Sequence, residues 1–132
     1  MKKIKIGEKE YSLECNAFTR ILYKQKFNRQ IFKDISVLNN FLNESKKIDK
    51  KDLTDEEKEN EKNQLMLESY DDILDVLSQL TYIEIYTHDR KFMGYEEWLT
   101  SMEKLGIEEE WVSVVVTYAT ECFCWWRTCR NV

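Results

Sequence analysis

The sequence predicts a small, mainly α-helical domain with an N-terminal β-hairpin. Three observations carry that expectation. The 132-residue chain has no proline and only three glycines, so little in it interrupts long helices. Hydrophobic residues make up 42% and aromatics 13%, a globular composition and not a disordered one. Apolar–polar alternation on either side of a turn marks the start of the chain, and over most of the rest the apolar residues recur at helical spacing. A chain of this length is most simply one domain, residues 1–132.

Residues 2–14, KKIKIGEKEYSLE, place Ile4 and Ile6, then Tyr11 and Leu13, on either side of GEK. That is the pattern of two strands turning at Gly7. Asn16 is the N-cap candidate for the first helix. Over residues 16–43 the spacing predicts two helices with a turn at Asn28-Arg29-Gln30. Phe18, Ile21 and Leu22 mark the apolar face of the first, and Phe27, Ile31, Phe32, Ile35, Leu38 and Leu42 continue the theme. Residues 44–64 hold just two apolar side chains, Ile48 and Leu53, and are expected to form a charged linker running into a solvated helix start. The Thr54…Glu57 capping-box pattern marks where that helix begins.

Helices are expected over residues 65–128. Tyr70, Ile73, Leu77 and Leu80 line one face, with Leu74 and Thr81 beside it. The alternation in TYIEIYT suits a strand as well, but continuity of the preceding period favours helix. After a turn at HDRKFMG, a short helix from Tyr95 to about Leu105 is expected to stop at Gly106. Too brief to stand alone, it should be anchored in the core by Trp98. The last helix should begin near Glu108, with three glutamates in its first turn at the positive end of the helix dipole. Two adjacent apolar stripes run down it: Val115, Tyr118, Cys122, Trp125 and Cys129, and Val112, Val116, Ala119, Phe123 and Trp126. So broad a face has to be covered by the core or by a partner.

That helix also accounts for the terminal stretch CFCWWRTCRNV. Cys122 and Cys124 differ by about 200° around it, and Cys122 and Cys129 stand about 10 Å apart along it. Neither pair can close a disulfide within the helix, which needs Cα atoms within about 7 Å. The C-x-C-x₄-C spacing is not that of structural zinc, and the single histidine, His88, is far away in sequence. The cysteines therefore read as small hydrophobes in a reducing compartment, with no metal and no cofactor.

Catalytic signatures do not emerge from the residues. His88-Asp89 lacks a third member for a nucleophilic triad, and it reads as a turn histidine in water. Asp71-Asp72 and Glu96-Glu97 occupy consecutive helix positions and diverge. There is no Gly-rich phosphate loop, so no enzyme activity is expected.

The formal net charge of −5 divides into +5 over residues 1–43, −2 over 44–64 and −8 over 65–132. A basic front and an acidic back can pair within one monomer or between neighbours, so self-association is expected. A pI near 5.1 argues against nucleic acid as a partner. The longest apolar stretch, around Val112 to Ala119, is interrupted by Ser113 and Thr117, short of the roughly 20 apolar residues that span a membrane.

Two stretches, with the hairpin before them, resemble the tail assembly chaperones of long-tailed, siphovirus-type bacteriophages and prophages of Gram-positive bacteria. One is NAFTRILYKQKFNRQIFKDI, residues 16–35, similar to the family's N-A-x-T-x-x-x-Y-x-x-x-F-G-x-D-I style of opening. The other is IYTHDRKFMGYEEWLTSME, residues 85–103, where an aromatic or apolar anchor precedes a short EEWL helix. Asn28 stands where many relatives have glycine, and asparagine tolerates a left-handed turn.

The resemblance implies a small helical protein of the host cytoplasm, absent from the mature virion. It implies binding to the tape-measure protein, with the tail-tube protein as a second partner. The tape-measure protein would be kept soluble while tube subunits polymerise around it. The alternative is a small structural or regulatory phage protein, such as a head–tail connector component. For partner contact the sequence nominates Trp125 and Trp126, with Tyr118 and Phe123 beside them. The two tryptophans point about 100° apart on a helix, so one of them should lie at a rim or interface.

Overall fold

A computed structural model describes residues 1–106 and 109–123, without the side chains of Met66, Glu68, Ser69 and Tyr70. Strands β1 (Lys2–Ile6) and β2 (Lys9–Leu13) pair antiparallel, with Ile4 opposite Tyr11 and Ile6 opposite Lys9. Gly7 turns the hairpin at φ 63°, a left-handed value that glycine takes without Cβ strain. Among the described residues five helices come next: α1 (Ala17–Phe27), α2 (Ile31–Lys50), α3 (Asp55–His88), α4 (Tyr95–Ser101) and α5 (Glu110–Phe123). The mainly helical domain with an N-terminal hairpin is thus what the chain forms.

The helix boundaries come from local chemistry. Asn16 and Thr19 form a reciprocal capping box at α1, and Thr54 and Glu57 form one at α3. Asn28 closes α1 in the left-handed conformation, φ 54°, and its N–H donates to the Lys24 carbonyl at 2.8 Å. The turn there is clamped by a buried acid. Asp34 accepts from Arg29 Nε at 2.8 Å and Nη2 at 2.9 Å, and from the Tyr23 hydroxyl at 2.6 Å. Burial and the Asp34 carboxylate together push the Tyr23 hydroxyl far above its ordinary range.

Helix α3, about 51 Å long at 1.5 Å per residue, is the spine. Helices α1, α2, α4 and α5 and strand β2 all pack on it. From Leu80 to Ile85 every residue is buried, so TYIEIYT is a helix enclosed on all sides. That enclosure explains why its pattern mimics a strand: a helix buried all round shows no polar stripe.

Four expectations need correcting. Residues 44–50 continue α2 as helix, and Ile48 is buried, so only the short segment 51–54 connects α2 to α3. Lys51–Glu61 and Lys62–Asp49 ion pairs link the two helices there, in the antiparallel hairpin that so short a connection imposes. The apolar face of α1 is also rotated from the one expected. Thr19, Leu22 and Tyr23 are buried, while Phe18 and Ile21 face out. On α2, Phe41 takes the core position and Phe32 is exposed. Helix α4 ends at Ser101, well before Gly106: Ser101 Oγ donates to the Trp98 carbonyl at 2.6 Å, and Met102 N–H tightens onto the Leu99 carbonyl at 3.1 Å.

Trp98 is fully buried, as an anchor should be, with its ring against Tyr82, Tyr95 and Tyr11 at centroid distances of 5.8, 6.4 and 6.5 Å. The expected start of the last helix at Glu108 lies outside the described residues, and the described α5 opens with Glu110.

Candidate partner-binding surface

Helix α5 carries the residues nominated for partner contact, and its described part is largely claimed by the chain itself. Trp111, Val112, Val115, Val116, Ala119 and Phe123 are buried, leaving Ser113, Thr117 and Glu121 as one solvated stripe at i, i+4 and i+8. Phe123 is 8% exposed and meets Phe32 edge-to-face at 5.6 Å. Tyr118 is half-buried, and its hydroxyl accepts from the Cys15 backbone N–H at 3.2 Å. Asn39 Nδ2 donates to Thr120 Oγ1 at 3.0 Å, joining α5 to α2. Of the four nominated residues, two are therefore placed against the core. Trp125 and Trp126 lie outside the described residues, as do Cys124 and Cys129.

Outward-facing apolar surface lies elsewhere. On α1, Phe18 is 43% exposed and Ile21 36% exposed, at the i, i+3 spacing that makes helical neighbours. Arg90 sits over Phe18 with its guanidinium carbon 4.9 Å from the ring centroid, and the same carbon lies 5.7 Å from the Tyr86 ring. Tyr86 is shared with a second cation, Lys26, whose Nζ lies 4.6 Å from the ring centroid. Arg90, in the turn after α3, thus sits against the exposed face of α1, and Lys26 on α1 itself shares the Tyr86 ring with it. The sequence hides this surface. Phe18 and Ile21 fit the helical period of core residues, and nothing local to Arg90 shows that it folds back over a ring about seventy residues earlier.

Two interior clusters are also invisible in the sequence. One is the Arg29–Asp34–Tyr23 clamp. The other gathers around Glu84, which is fully buried, with neither carboxylate oxygen hydrogen-bonded among the described residues. Burial raises its pKa well above the ordinary carboxylate value. Cys15, Cys122 and Tyr118 are its electrostatic neighbours, and burial raises all three. Nearby, Thr87 Oγ1 donates to Thr19 Oγ1 at 3.1 Å. Among the described residues no group of three or more His, Cys, Asp or Glu is arranged to hold a metal ion.

An open cleft of about 420 Å³ lies between the hairpin turn and the two ends of the α4–α5 connection. Lys9, Glu103, Lys104 and Glu109 line it alongside Tyr11 and Trp111. Among the described residues no helix is long and apolar enough to cross a membrane.

No family model matches the sequence, and no curated protein or solved structure matches it either.

Proposed function

We propose that this protein is a binding protein and not an enzyme, acting as a tail assembly chaperone that keeps a phage tape-measure protein soluble while the tail tube forms. It would work in the cytoplasm of the bacterial host and be left out of the finished particle. The observation that carries this reading is the outward face of α1. Phe18 and Ile21 present apolar surface from within residues 16–35, the stretch that resembles the family, on a helix whose opposite side is anchored in the core. Adjacent cations, Arg90 and Lys26, suit an amphipathic partner helix with acidic flanks. Trp125 and Trp126 extend the apolar inventory toward the end of the chain.

Co-expression tests the reading. The protein should keep soluble a tape-measure protein that aggregates when made alone. Phe18→Asp with Ile21→Asp should abolish this while circular dichroism stays native, and Trp125→Ala with Trp126→Ala reports whether the C-terminal end shares the work. A tape-measure protein that precipitates equally with and without the wild-type chain refutes the function. A solubilising wild type with an undiminished α1 variant moves the contact to α5.

A further inference from the structure

The outward face of α1 is apolar and cationic. Phe18 and Ile21 lie on it, Arg90 sits over the Phe18 ring, and Lys24 is exposed one turn beyond Ile21. No Asp or Glu occurs between Ala17 and Phe27, so the helix supplies no acid to offset these cations. The first half of α3 has the opposite chemistry. From Glu56 to Asp72 the exposed charged residues, among the described side chains, are Glu56, Glu57, Glu59, Asp71 and Asp72. Lys58 and Lys62 are half-buried there, and Lys62 is paired with Asp49 on α2. Leu67 stands among these acids 86% exposed, the barest large apolar side chain of the described residues. Glu56, eleven residues before it, and Asp71, four after it, share its stripe of the helix.

We propose that the outward face of α1 in one copy docks on the acidic outer face of α3 in a second copy. Leu67 meets Phe18 and Ile21, and the acids on either side of it face Lys24 and Arg90. The occupant is a second copy because the chain itself carries the complement that α1 lacks, an acidic helix with one bare leucine. One molecule cannot make this match alone. The Thr87 hydroxyl on α3 donates to that of Thr19 at 3.1 Å, and the Phe27 ring meets Tyr82 at 6.2 Å. Helix α1 therefore lies beside the C-terminal half of α3, with Phe18 and Ile21 turned to solvent. Leu67 stands fifteen residues before Tyr82, about 22 Å away along the helix.

The two faces differ, so the contact is heterologous. Each copy uses α1 toward one neighbour and α3 toward the other, which builds a closed ring or an open row. The contact itself does not rest on the chaperone reading. Where both hold, a neighbouring copy covers Phe18 and Ile21 until a partner helix displaces it.

Sedimentation of the full-length protein tests the contact with two variants. Phe18→Asp with Ile21→Asp removes the α1 face, and Leu67→Lys with Asp71→Lys removes the α3 face. All four positions are exposed, so circular dichroism should stay native; Ile21→Asp or Asp71→Lys alone replaces a variant that loses its fold. The wild type at high protein concentration should associate at about 0.01 M salt and dissociate at about 1 M, as the screening length falls from about 30 Å to about 3 Å. Each variant alone should be a monomer. Their mixture should form a one-to-one pair and nothing larger, because one intact α1 face and one intact α3 face remain. A monomeric wild type at low salt, a variant that associates like the wild type, or a mixture that stays monomeric each overturns the proposal. No tape-measure protein is needed, so failure here is distinct from failure of the chaperone reading.

Discussion

Replacing Glu84 with glutamine should stabilise the protein, and by more at higher pH. Glu84 is fully buried, and neither of its carboxylate oxygens is hydrogen-bonded among the described residues. Burial raises its pKa well above the ordinary glutamate value, so the folded state holds the proton after the unfolded chain has released it. The sign is set by linkage. The unfolded state binds fewer protons than the folded one, so stability falls as pH rises. The fall begins near the ordinary carboxylate pKa and levels off once the folded-state pKa is passed.

Within that window the slope approaches about 1.4 kcal/mol per pH unit for this one group. Glutamine is nearly isosteric and cannot ionise, so the slope attributable to residue 84 disappears. The remaining amide is as poorly bonded as the protonated acid, so the two proteins should be nearly equally stable around the ordinary carboxylate pKa and diverge above it. Urea unfolding at regular pH steps from that point to neutrality measures this, and it stays below the range where free thiols titrate. Parallel pH profiles for wild type and Glu84→Gln would refute the reasoning. So would a wild type that gains on the variant as pH rises, because Glu84 would then be ionised and compensated in the fold.

Trp98→Ala should cost about 3–5 kcal/mol, read from denaturant unfolding, because the ring is fully buried among Tyr11, Tyr82 and Tyr95; a loss below about 1 kcal/mol would mean the site collapses around the cavity or that the ring is not enclosed. Light scattering should find larger species at low salt than at high, since charge contacts between the basic front and acidic back are screened over about 8 Å at physiological ionic strength. A strict monomer at all salt concentrations would mean that the two halves neutralise each other within one chain.

Sequence patterning alone is enough for the elements whose signals are local. Period-two alternation around Gly7 specifies the hairpin, and the side chains of Asn16 and Thr54 specify where α1 and α3 begin, because a cap satisfies backbone donors within three residues of itself. The stop of α1 at Asn28 and the anchoring role of Trp98 are legible for similar reasons. Which of two equally apolar faces turns inward is a tertiary decision. Phe18 and Ile21 have the same hydrophobicity and spacing as core residues, and they face out because Thr19, Leu22 and Tyr23 are the positions that meet the spine. The charged run 44–50 is helix because α3 returns beside it and covers Ile48, a neighbour that no window of local sequence contains. Burial of Glu84, and the hydrogen bond from the Cys15 N–H to the Tyr118 hydroxyl, likewise depend on elements far apart in the chain converging on one point. Local chemistry decides where an element starts and stops. Burial and proximity are properties of the packed whole, and only the tertiary structure decides them.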